Sequence, residues 1–126
     1  MGRLDNILHA TAEYYEADPL LVRTSRREFK ELVNSRQMFW FIAYKLTKPD
    51  PSTGYSKYSL NYLAKYTNKK THTAVLSGIR KIQNELEIGF KPHLDDIKNI
   101  TDILEEPDFY KRAEEMYKKK KQHEKI

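Results

Sequence analysis

Residues 59–87 read SLNYLAKYTNKKTHTAVLSGIRKIQNELE, and the rest of the chain is best read outward from them. Leu60, Leu63 and Ala64 give the first part a helical apolar face, and Ser59 carries the side chain of an N-cap. Thr67-Asn68-Lys69-Lys70 cannot continue that face and reads as a tight polar turn. From Thr71, the residues Val75, Ile79, Ile82 and Leu86 recur at i, i+4, i+7 and i+11, the stripe of a core-facing helix. The opposite face carries Thr73, Ser77, Arg80 and Lys81, all able to bond phosphate oxygens or base edges. A short helix, a turn and a polar-faced helix make a helix-turn-helix, whose second helix reads DNA with its N-terminal residues. Here those base-reading residues are Lys70, Thr71, His72 and Thr73. Spacing alone fits equally a helical hairpin beside a solvated turn.

Charge placement favours the first reading. The whole chain carries a net +5, yet Arg36–Lys81 holds nine Lys/Arg against one acid, Asp50. A one-signed segment containing the turn and both helices is the footprint of a duplex-DNA contact. Lys69 in the turn, with Ser77, Arg80 and Lys81 on the helix, forms the expected backbone-contacting set.

Upstream, Lys48–Lys57 (KPDPSTGYSK) has two prolines, a glycine and small polar residues, which rule out helix or strand. It is either an ordered flap carrying Lys48, Tyr55, Lys57 and Tyr58, or a tolerated loop, and the second reading is favoured. Before it, Ser35 reads as the cap of a central helix over Arg36–Thr47, the most buried of the domain because Trp40 and Phe41 widen its stripe. Arg36 and Gln37 then fall at a helix N-terminus, where free N–H groups favour a phosphate. Glu28–Val33 reads as one further helical turn burying Phe29, Leu32 and Val33. Asp18-Pro19 starts a short helix, and Leu4, Ile7, Leu8, Thr11 and Tyr15 stripe an opening one. Downstream, Gly89 and Pro92 end the long helix, and Leu94, Ile97, Ile100, Ile103 and Leu104 stripe the next. Glu106-Pro107 opens a last helix with Phe109, Tyr110, Ala113, Met116 and Tyr117 on one face, ending in a charge run that reads as a fraying, solvated end.

The segment KKTHTAVLSGIRKI resembles the signature of the C-terminal DNA-binding domain of the bacterial replication initiator DnaA, G-G-R-D-H-T-T-V-L-H-A-x-R-K-I. His72, Thr73, Val75, Leu76, Arg80, Lys81 and Ile82 match; Asn68 and Lys69 stand for the two glycines, Lys70 for arginine, Thr71 for aspartate and Ala74 for threonine. LDNILHATAEYY at Leu4–Tyr15 resembles that family's opening helix, Ser35-Arg36-Gln37-Met38 the R-Q-M of its central helix, and DDIKNITDIL its last helix. The resemblance implies an all-α bundle of six or seven helices with a Trp-repressor-like helix-turn-helix, and sequence-specific binding of double-stranded DNA in replication initiation or its regulation. It also implies that Arg26 and Arg27 reach the DNA backbone or minor groove. Against the family pattern, residues 1–104 form the DNA-binding domain, 48–57 are an insertion, and 105–126 are an added helix and basic tail.

No G-x-x-x-x-G-K-[ST] motif occurs, so ATPase activity is not expected. His9, His72, His93 and His123 are scattered and cysteine is absent, which argues against a metal site. No nucleophile, base or cofactor constellation suggests an enzyme. With no long apolar run and no secretory signal, the expected place is the cytoplasm, on the nucleoid. The competing expectation is a protein-interaction adaptor that kept the fold, lost DNA reading, and binds a protein partner through the Phe109/Tyr110/Met116/Tyr117 face.

Overall fold

Helical stripes predict helices, and the computed structural model, which describes residues 2–124, contains nothing else of regular structure among them. The order is α1 (Arg3–Tyr14), α2 (Pro19–Thr24), α3 (Lys30–Phe41), a π-helical turn (Ile42–Leu46), α4 (Leu60–Tyr66), α5 (Thr73–Glu87), α6 (Lys91–Leu104) and α7 (Pro107–Glu124). The terminal charge run lies largely outside the described residues, with the backbone of α7 described to Glu124 and side chains to Tyr117. No helix among the described residues is long and apolar enough to cross a membrane.

The starts follow local chemistry. Asp18 accepts a hydrogen bond from the Leu20 N–H at 2.9 Å with Pro19 opening α2, and Ser59 accepts from the Tyr62 N–H at 3.0 Å to open α4. The ends share one device. Glu16, Asn68, Gly89 and Glu105 all take left-handed φ, between 56° and 91°. Behind each, two backbone N–H groups reach back to orphan carbonyls, as where Asn68 and Lys69 donate to Lys65 and Ala64. This closure satisfies the last turn of the helix. Only Gly89 takes that conformation without a Cβ to oppose it.

α3 begins earlier than its sequence suggests. Ser35 does not cap; its hydroxyl donates to the Glu31 carbonyl at 2.7 Å inside the helix, and the N-cap is Phe29, whose side chain makes no capping bond. Glu28–Val33 is therefore mostly the first turn of α3, and Phe29 is 55% exposed rather than buried, while Leu32 is buried as expected. From Met38 to Ala43 every side chain is buried, so α3 and the π-helical turn form the spine of the core.

α5 lies on that spine through a missing side chain. A Cβ on Gly78 would stand 2.9 Å from Trp40 Cε3 and 3.0 Å from Gln37 Cγ, so only glycine permits this approach. The Trp40 indole N–H donates to the Thr67 hydroxyl at 3.0 Å, which in turn donates to the Leu63 carbonyl at 2.8 Å. One ring thereby fixes α3, the end of α4 and α5 together. Val75, Ile79, Ile82 and Leu86 are all buried, as the stripe predicts.

α7 belongs to the same core. Phe109 and Ala113 are fully buried and Tyr110, Met116 and Tyr117 pack against the cluster. The Arg112 guanidinium donates to the Leu46 carbonyl at the end of the π-helical turn. Arg3 pairs with Glu106 and lies over the Phe109 ring, 5.3 Å from its centroid, joining the start of α1 to the start of α7. Of the face proposed for a protein partner, Phe109 is buried and Tyr110, Met116 and Tyr117 are half-buried.

The stability of the Gly78 contact can be tested directly. Alanine gains about 1 kcal/mol of helix propensity, but overpacking costs about 1–3 kcal/mol, and Trp40 is held by its hydrogen bond. Gly78→Ala is therefore expected to lower stability by about 1 kcal/mol in denaturant melts, the opposite of a free helical glycine. A second expectation concerns acid. The hydrogen bond from Arg3 holds the Glu106 carboxyl below its ordinary value, and the Tyr66 hydroxyl does the same for Asp5. Both contributions are complete above the unfolded carboxyl values, about 4, and vanish as pH falls through the lowered folded-state values. Glu106→Gln should flatten the loss of stability below about pH 4 when melts are followed across the acid range.

Candidate nucleic-acid interface

The turn between α4 and α5, residues 67–72, has an acid-free neighbourhood in sequence, since no Asp or Glu occurs between Asp50 and Glu85. Asn68, at φ 58, is among the residues that tolerate the left-handed region, and its side-chain N–H donates to the Thr24 carbonyl at 3.2 Å. Arg23 donates from Nε to the Tyr66 carbonyl at 3.0 Å and lies over the Tyr66 ring, 4.0 Å from its centroid. Thr67 is held from beneath by Trp40. Three anchors thus tie the turn to α2 and α3, and none of them uses Lys70, Thr71 or His72.

α5 starts two residues later than its stripe suggests. Thr73 is the first helical residue and His72 the N-cap, whose carbonyl accepts the first helical bond from Leu76 at 2.9 Å; Lys70 and Thr71 belong to the turn. All four proposed base-reading side chains, Lys70, Thr71, His72 and Thr73, are exposed, and His72 makes no capping hydrogen bond. Continuing along α5, Ser77, Arg80 and Lys81 are exposed on the same side as Thr73, and Asn84 extends the row by one more turn. Asn84 was not singled out in the sequence, although its spacing from Arg80 places it there.

The proposed backbone contacts divide. Arg26 and Arg27 are exposed on the loop between α2 and α3, the Arg27 guanidinium 5.8 Å from the Phe29 ring centroid. Because α2 is fastened to the turn, Arg26 meets Asn68, Lys69 and Lys70 around a cleft of about 260 Å³. Residues 44 positions apart in sequence thereby become one cationic wall, suited to a phosphate. Lys69 is half-buried and paired with Glu28 at 3.5 Å, which reduces its share of that wall.

Arg36 is not part of it. With 2% of its surface exposed, its guanidinium donates to the carbonyls of Val22 at 2.9 Å and Ser25 at 2.8 Å, with Leu21 at 3.5 Å. It satisfies the end of α2 from within. Burial pulls its pKa below the ordinary arginine value, partly offset by Glu28. Gln37 is half-buried at the crossing of α3 and α5. Because α3 begins at Lys30, neither residue stands at a helix N-terminus, and the free N–H groups assumed for them are elsewhere.

Among the described residues no group of three or more His, Asp or Glu side chains is arranged to hold a metal ion. Compared with protein-family models, curated proteins and solved structures, the chain matches none.

Removing Arg36 strands buried carbonyls at the end of α2. Arg36→Ala is expected to cost about 2–4 kcal/mol of stability and to melt at a lower denaturant concentration. An exposed phosphate contact would instead leave the melt unchanged.

Proposed function

We propose that the protein binds double-stranded DNA sequence-specifically, with α4 and α5 acting as a helix-turn-helix and the start of α5 set into the major groove. The observation that carries this reading is the exposed row Lys70–Thr73, Ser77, Arg80 and Lys81, free of acids and mounted on a turn fixed by Trp40, Asn68 and Arg23. Rigid mounting suits base readout, because side chains that must find base edges lose less freedom when their backbone is already held. Arg26 and Arg27, with Ser77, Arg80 and Lys81, supply phosphate contacts that position the helix without specifying sequence. The resemblance of Lys69–Ile82 to the initiator's DNA-binding domain supports the same reading, and with it we propose use at a replication origin or a regulatory site, without ATP hydrolysis and on the nucleoid. The adaptor reading retains less surface than it expects, since Phe109 is buried and Tyr110, Met116 and Tyr117 are half-buried against the core.

Two measurements test it. Neutralising about five to eight phosphates gives a slope of log affinity against log salt near −5 to −7, and absence of binding to any duplex at low salt would sink the proposal. Selection from a random duplex pool should recover one motif for the wild type and a changed motif for Thr71→Asp. An acid at that position accepts from a cytosine amino group, whereas threonine offers a methyl and a hydroxyl, a difference worth about 1–3 kcal/mol at one base pair. If both proteins select the same motif, Thr71 touches no base.

A further inference from the structure

We propose that the loop of residues 48–58 is a second DNA contact: with His72 it forms a cleft that receives the sugar-phosphate backbone of duplex flanking the site read by α5. The inference rests on the DNA-binding reading above and extends it to a segment the initiator family's pattern lacks.

The loop is built, not merely tolerated. The Asp50 carboxylate accepts from the Ser52 N–H at 2.9 Å and from its hydroxyl at 2.7 Å. Gly54, at φ 76, donates to the Asp50 carbonyl at 2.8 Å, and the Asp50 N–H returns to the Tyr55 carbonyl at 3.0 Å. The Ser56 hydroxyl lies 3.0 Å from the Tyr44 carbonyl and 3.1 Å from that of Tyr58, tying the loop to the π-helical turn. Tyr58 stacks on Tyr62 of α4, ring centroids 6.2 Å apart and planes at 28°.

This folding leaves a cleft of about 390 Å³ whose walls include Tyr44, Tyr55, Ser56, Ser59, Asn61 and His72. Each of these carries a hydrogen-bonding side chain, Leu60 completes the lining, and no acid takes part. Tyr55 is 78% exposed, which leaves its ring and hydroxyl accessible to a sugar or phosphate. Lys57 stands 5.8 Å from the Tyr58 ring centroid, Lys45 stands 5.7 Å from that of Tyr44, and Lys48 and Lys65 are exposed nearby in sequence. Asp50 is the one acid between Arg36 and Lys81, and its carboxylate is engaged by its own turn. Neutral donors, with Lys45 beside one lining ring and Lys57 adjoining the lining residue Ser56 in sequence, fit a polyanionic backbone. The same His72 that lines the cleft is the N-cap of α5, adjoining Thr73. A strand in the cleft is therefore continuous with one whose bases meet Thr73, and the occupant is the same duplex.

The test compares the wild type with the double variant Tyr55→Ala/Lys57→Ala, whose altered side chains are both exposed and outside the core. Affinity is measured by fluorescence anisotropy for the selected motif alone and for the motif extended by about one helical turn, roughly 10 base pairs, on each flank. The wild type is expected to prefer the extended duplex by about tenfold. The variant should bind both lengths alike, with a salt slope shallower by about one and an unchanged selected motif. A variant that keeps the wild-type length preference and slope overturns the proposal while leaving α5 as the reading helix. A wild type that binds no duplex overturns the DNA-binding reading and this inference with it.

Discussion

The Trp40 ring is the constraint on which the arrangement depends. Its face meets α5 where Gly78 has no side chain, and its N–H holds Thr67 at the end of α4. Were the ring smaller, a void would open between α3 and α5 at Gly78. Were it unable to donate, the buried Thr67 hydroxyl would lose a partner and the turn would hang from Asn68 and Arg23 alone. The exposed row on α5 inherits its position mainly from a buried residue on the opposite side of that helix, with Asn68 and Arg23 as outer ties.

Much of this was legible in the chain. The stripe Val75, Ile79, Ile82, Leu86 marks α5, and Ser59, Asp18 and Gly89 carry the local chemistry of helix ends, because caps act within four residues. What escaped depends on partners far away. Ser35 has the side chain of an N-cap, and only the continuity of α3 through Lys30 turns its hydroxyl onto a carbonyl of the same helix. Glu16 and Glu105 close helices in a conformation that glutamate does not advertise. Gly78 reads as a weak point in a helix, and its necessity is visible only once Trp40 is beside it.

Arginine shows the limit most clearly. Arg23, Arg26, Arg27 and Arg36 lie within fourteen residues, and composition treats them alike. Arg36 is consumed by carbonyls at the end of α2, Arg23 by Tyr66, and Arg26 and Arg27 remain at the surface. The two buried or engaged guanidinium groups determine where the two exposed ones sit, by fastening α2 against the turn. A charge count therefore measures how basic the segment is but not which cations a phosphate can reach.

The inward packing of α7 has a consequence for how the molecule comes into being. Phe109 and Ala113 complete a core that also contains Leu4, Ile7 and Leu8, and Arg3 closes onto Glu106. α1 thus has incomplete surroundings until the residues of α7, about a hundred positions further along, are in place. Until then α5, α6 and the π-helical turn present bare apolar surface to whatever is near. A core held in common by α1 and α7 therefore closes only when both are present, however early the helices between them form.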